Sequence, residues 1–66
     1  MSPGMAALLA EIQAFCSEFA ISESAFGIRA LGDKHLVRDI RERNRQLRWE
    51  TEQDVRTFML AARQAA

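Results

Sequence analysis

The chain has no tyrosine, one tryptophan, one cysteine, one proline and only three glycines among its 66 residues. Each scarcity excludes something. Cys16 has no partner for an internal disulfide, and its place within an apolar pattern predicts a buried, reduced thiol and a cytoplasmic setting. Few residues are β-branched, whereas Ala, Leu, Glu, Gln and Arg dominate, so intrinsic preference points away from sheet and toward an all-α domain. No run of about 18 apolar residues occurs, and no basic segment precedes a hydrophobic one at the N-terminus. Neither a membrane span nor a signal peptide is expected. An excess of one charge is missing too, since nine acids balance nine bases, and such a chain binds polyanions nonspecifically less well than a strongly basic one. Chemistry-bearing clusters are also absent. His35 is the lone histidine, with no Cys/His cluster, paired carboxylates or glycine-rich phosphate loop around it. No catalytic residue, metal ligand or cofactor is therefore assigned, and an enzyme is not expected.

What is present is helical periodicity. At this length one domain is expected, burying only about 60% of its unfolded surface, so a second copy or a bound partner would add needed stability. Residues 1–5 include Pro3 and Gly4 and are expected to be disordered. From Ala6 to Ala20 the residues Leu8, Leu9, Ile12, Phe15, Cys16 and Phe19 recur at steps of three and four, which predicts a helix with one core face. Its polar side lacks the Lys and Arg that a lipid surface requires. Ser22 is placed to cap a second helix over Glu23–Leu31, with Ile21 beside Phe26 as a hydrophobic staple. Gly27, inside that helix, costs about 1 kcal/mol relative to Ala and so predicts a close approach by a neighbouring segment.

Gly32 breaks the pattern, and Asp33 is placed to cap a third helix on which Leu36, Val37 and Ile40 form the apolar stripe and Asn44 the left-handed terminator. Leu47 and Trp49 are expected to pin the following connection to the core. A Thr51-x-x-Asp54 capping box then predicts a last helix from Glu52, with Val55, Phe58, Met59 and Ala62 inward and Leu60 outward. Leu60 is a candidate dimer contact, and the alanine-rich end (Ala61, Ala62, Ala65, Ala66) is expected to fray.

Charge is arranged unevenly along this pattern. Residues 1–26 carry Glu11, Glu18 and Glu23 and no base, whereas Gly27 to Trp49 holds seven bases (Arg29, Lys34, Arg38, Arg41, Arg43, Arg45, Arg48) against three acids (Asp33, Asp39, Glu42). A positive middle between acidic ends suits a molecule that turns one side to phosphates.

The stretch 22–44 resembles the helix-turn-helix of lambda-repressor and Cro-like DNA-binding proteins. With the motif counted from Glu23, the family's hydrophobic slots fall on Phe26, Ala30, Val37 and Ile40, and its small residue on Gly27. The family's turn glycine comes one position before Gly32, where this chain has Leu31. The resemblance implies a compact fold of four helices, or five if the connection carries a short turn, with the motif near its middle. It also implies a recognition helix at about 34–43 in the major groove of double-stranded DNA, with Lys34, His35, Arg38 and Asp39 at base edges. Ser22, Ser24, Arg29, Arg41, Arg43, Arg45 and Arg48 would contact phosphates. The function implied is a sequence-specific transcriptional regulator, bound as a homodimer and able to contact RNA polymerase or another regulatory protein. The alternative from the residues themselves is a small helical adaptor, antitoxin-like or polymerase-accessory, whose basic face meets an acidic protein. In that reading Arg38–Asp39 and Arg41–Glu42 are merely a salt-bridged helix surface.

Overall fold

The computed structural model describes residues 1–66 as four helices and no strand: α1 Pro3–Phe19, α2 Glu23–Leu31, α3 Leu36–Glu42 and α4 Trp49–Ala65. The all-α expectation holds at this level. The start of the chain is not disordered as expected. Ser2 is the N-cap of α1, its Oγ accepting from the Met5 N–H at 3.2 Å, and Pro3 occupies the first helical position, where its missing N–H costs nothing. Met5 is buried at 2% exposure, so apolar burial and a cap together order what composition suggested was a tail.

The predicted stripe of α1 faces the core. Leu8, Leu9, Ile12, Phe15 and Cys16 are buried, and Phe19 packs at the margin. Left-handed Ala20 ends the helix, with the Ile21 N–H reaching back to the Cys16 carbonyl at 3.1 Å. The chain then turns, so that α1 and α2 meet at 107°. Ser22 caps α2 as its sequence implied, accepting from the Ala25 N–H at 3.0 Å. Phe26 enters the core from α2, Leu36, Val37 and Ile40 from α3, and Val55 and Met59 from α4. An aromatic cluster joins three of the helices: Phe26 meets Phe15 and Phe58 edge-on, both at 5.5 Å between centroids, and Phe15 stacks on Phe19.

The start of the last helix also differs from expectation. The last helix begins at Trp49, not Glu52, and Thr51 forms no capping box with Asp54, because it already lies inside the helix, whose N-cap position is Arg48. Arg48 occupies the cap position without a side-chain bond, and Glu50 and Glu52 supply the first-turn negative charge that the helix dipole favours. Leu47 does pack against the core. Trp49 does not, being 70% exposed. The alanine-rich end, expected to fray, is helical through Ala65.

Gly27 has the close neighbour its position predicted. A Cβ there would lie 2.1 Å from the Asp33 carbonyl oxygen and 3.3 Å from the Leu36 Cβ. The same backbone segment is bonded to α2, the Asp33 N–H donating to the Gly27 carbonyl at 3.1 Å. A Gly27→Ala substitution must push backbone aside, an overpacking cost of about 3 kcal/mol, against which the better helix propensity of alanine returns about 1. Equilibrium urea unfolding should show a net loss of about 2 kcal/mol; an unchanged or raised midpoint would mean that the contact is not tight.

Candidate nucleic-acid interface

The corner between α2 and α3 is made by Gly32 and Asp33. Gly32 sits in the left-handed region at φ 69°, where a side chain is disfavoured, and its N–H closes α2 onto the Ile28 carbonyl at 2.8 Å. Asp33 was expected to cap a helix beginning at Lys34. Instead its Oδ1 accepts from the His35 N–H at 3.0 Å, two residues on, and holds a turn. The helix itself starts only when the Asp39 N–H reaches the His35 carbonyl at 2.9 Å. The expected recognition helix of 34–43 is therefore shortened to Leu36–Glu42. The physical reason is burial: Leu36, Val37 and Ile40 are at most 1% exposed, and an Asx-type turn delivers Leu36 to the core at once.

Lys34 and His35 consequently stand on the turn, exposed, ahead of the helix. Arg38 is the outward residue of the first turn of α3. Its side chain is 43% exposed and its Nη2 lies 3.5 Å from Asp39 Oδ1, while its Nε is buried with no acceptor. Asp39, expected at a base edge, is only 23% exposed and faces Arg38, Arg43 and Arg45 at 3.5, 3.8 and 3.7 Å. It gathers cations more than it presents a carboxylate.

The residues expected to meet phosphates divide into two groups. Arg41 donates through Nη1 to both oxygens of Glu23, at 2.7 and 2.8 Å, tying α3 to the first turn of α2. Arg45 donates to Asp33 Oδ2 at 2.6 Å and fastens the chain beyond α3 to the corner. Ser22 uses its oxygen as a cap. By contrast Arg29, Lys34 and Arg48 are exposed, and none is in an ion pair. Ser24 is exposed in the first turn of α2, and Arg43 is 71% exposed.

The two bases outside the central stretch are taken by α1. Arg56 bonds Glu11 at 3.0 Å, and Arg63 bonds Glu18 at 3.3 Å while lying over the Phe15 ring. These straps neutralise most of the acidic N-terminal segment, and no helical spacing announces them because the partners are 45 residues apart. Arg45–Asp33 and Arg41–Glu23 were hidden from sequence reading for the same reason. Burial, with a smaller contribution from Glu23, pushes the Cys16 thiol up, which fits an inert buried sulfhydryl.

The chain matches no family model, no curated protein and no solved structure.

Asp33 makes the corner sensitive to acid. The hydrogen bond from Arg45, and after it that from the His35 N–H, hold its carboxyl below the usual aspartate range. A depressed folded-state pKa means that the unfolded chain binds the proton more readily. The stabilisation is then complete above about pH 4, the ordinary aspartate value, and disappears as pH falls below it. The urea midpoints of wild type and Asp33→Asn should differ most at neutral pH and converge in acid. A gap that stays constant on acidification would show that the charge of Asp33 is not what holds the turn.

Proposed function

We propose that this protein is a sequence-specific binder of double-stranded DNA, a small transcriptional regulator of the lambda-repressor and Cro-like helix-turn-helix kind, with α2, the Gly32–Asp33 corner and α3 as its reading unit. One observation carries the proposal. The backbone of Asp33 is locked against Gly27, and that lock presents Lys34, His35 and Arg38 together at the leading edge of a short, well-buried helix. Arg38 is the principal base reader: it lies in the first turn of α3, its side chain is 43% exposed, and its Nη2 has only a long 3.5 Å approach to Asp39, which leaves the outer guanidinium donors open to a guanine edge. Lys34 and His35 flank it from the turn. Asp39 holds Arg38 in place, a positioning role in place of the base contact first expected. Arg29, Arg43 and Arg48 serve phosphates, whereas Arg41 and Arg45 hold the corner together.

A helix of two turns covers few base pairs, so binding as a homodimer to paired half-sites supplies the missing affinity. Exposed Leu60 on α4 is the leading contact between copies. The Asp39 network, which neutralises much of the α3 surface, favours the second reading, an adaptor for an acidic protein.

Selection from a pool of random duplexes separates the two. A DNA reader should enrich one site and lose affinity linearly with the logarithm of salt concentration. On that site Arg38→Ala should cost about 1–3 kcal/mol and relax the preference at one base pair. Failure to enrich any sequence, together with wild-type affinity of Arg38→Ala at low salt, would transfer the assignment to the adaptor.

A further inference from the structure

The segment joining α3 to α4 differs from the rest of the surface. Arg43, Arg45 and Arg48 give it three positive charges and no acid before α4 begins at Trp49. Arg45 is occupied by Asp33 and Asp39. Arg48 has no ion pair, and Arg43, 71% exposed, has only a 3.8 Å approach to Asp39. Next to Arg48 in the chain is Trp49, at 70% the most exposed large apolar side chain of the molecule.

The segment is not a loose loop. Asn44 turns it through the left-handed region at φ 54°, and the Arg45 N–H bonds the Asp39 carbonyl at 3.0 Å. Gln46 accepts from the Ser2 hydroxyl at 3.0 Å, and Leu47 packs against the core. An indole mounted on such a frame loses little freedom when something covers it.

We infer that Trp49 is a further nucleic-acid contact beyond the α2–α3 corner, continuous with the phosphate contacts of Arg48 and Arg43. In it the two guanidinium groups hold phosphates, and the indole packs on the sugar edge or on an unpaired base beside them. The inference takes its class of partner from the DNA-binding reading, but none of the residues assigned to base edges takes part. Charge complementarity selects the occupant. A two-fold pairing of this patch with a second copy would set Arg43 and Arg48 against their own symmetry mates. An acidic peptide satisfies both cations and indole only where an apolar residue flanks its carboxylates, whereas nucleic acid presents phosphate and a flat surface at every nucleotide. Glu50 follows Trp49 in α4, and successive helical residues project about 100° apart, so its charge is directed to another side.

Trp49 is the only tryptophan and there is no tyrosine, so intrinsic emission reports this patch alone. The full chain is titrated at low salt with a short mixed-sequence duplex and with the corresponding single strand. Tryptophan emission is followed in parallel with the anisotropy of the labelled oligonucleotide. Emission should be quenched along the same isotherm as the anisotropy. Trp49→Ala should weaken binding about tenfold without altering the salt slope, Trp49→Phe should recover part of the loss, and Arg48→Ala should lower the slope by about one. A larger Trp49→Ala effect on the single strand identifies a base as the indole's partner, and equal effects identify the sugar edge. Both support the contact. The side chain is exposed, so the variants should fold as wild type does, which far-ultraviolet circular dichroism verifies.

Binding with unchanged emission and with wild-type affinity in Trp49→Ala would overturn this contact while leaving the corner's role intact. No binding to either nucleic acid would overturn both. Emission that shifts with protein concentration alone, and not with nucleic acid, would assign the indole to self-association and overturn the contact.

Discussion

The approach of the Asp33 backbone to Gly27 is the constraint on which the α2–α3 half of the molecule depends. A single absent Cβ lets the chain fold back over α2 closely enough for the Asp33 N–H to bond the Gly27 carbonyl. With the backbone fixed there, the Asp33 carboxylate lies between the His35 N–H and the Arg45 guanidinium and accepts from both. Leu36 then follows directly into the core. Steric, hydrogen-bonding and electrostatic choices thus agree at one corner, which is the consistency expected where a short sequence must specify a unique turn. The glycine costs about 1 kcal/mol of helix propensity, and the packing it permits outweighs that.

The arginines divide by task, and the division is set by geometry more than by sequence position. Arg41, Arg45, Arg56 and Arg63 each join parts of the chain far apart in sequence. Exposed ion pairs of this kind are individually worth about 0–1 kcal/mol, so their larger effect lies in where they leave charge. Glu11 and Glu18 on α1 are answered by α4, and Glu23 by α3. Uncompensated positive charge remains on Arg29, Lys34 and Arg48, all from the central stretch. Glu50 and Asp54 of α4 are likewise without an ion pair, so on the DNA-binding reading it is the place of the free cations, not net charge, that would turn the protein toward a polyanion.

How much of this was legible in the sequence depends on the range of the interaction. The stripe of α1 and the bounds of α2 follow from periodicity, and Ser22, Gly32 and Asn44 act in the structure as local chemistry said they would. Gly27 was legible because a glycine inside a helix needs a reason. The starts of α3 and α4 were misread where two local rules competed. Asp33 satisfies a turn donor before any helix donor, and α4 starts early enough to enclose Thr51, the residue expected to cap it. Trp49 was misplaced because an apolar residue in a polar run suggests an anchor, and Leu47, two positions earlier, already fills that place. The network of Asp33, Asp39 and Arg45 left no local trace. Two of its members lie in separate turns, and the third lies beyond the end of α3. The candidate site was thus visible as a set of residue types, while the sorting of its arginines into holders and free cations needed the fold.

Arg38 shows how the two kinds of arginine meet in one residue. Its outer nitrogen leans on Asp39 at a long 3.5 Å, and its buried Nε donates to nothing. A buried donor left unmade costs about 1–3 kcal/mol, which the packing around Arg38 offsets. The carboxylate that steadies Arg38 is shared with Arg43 and Arg45, so its hold on any one of them is diluted. An acceptor arriving from outside meets the exposed Nη end of the guanidinium, whose pairing with Asp39 is long. On the DNA-binding reading, affinity at this point comes from completing hydrogen bonds that the fold began and did not finish. Full pairing with Asp39 would make a more stable protein and a poorer reader, since every bond to a base would first require breaking one at home.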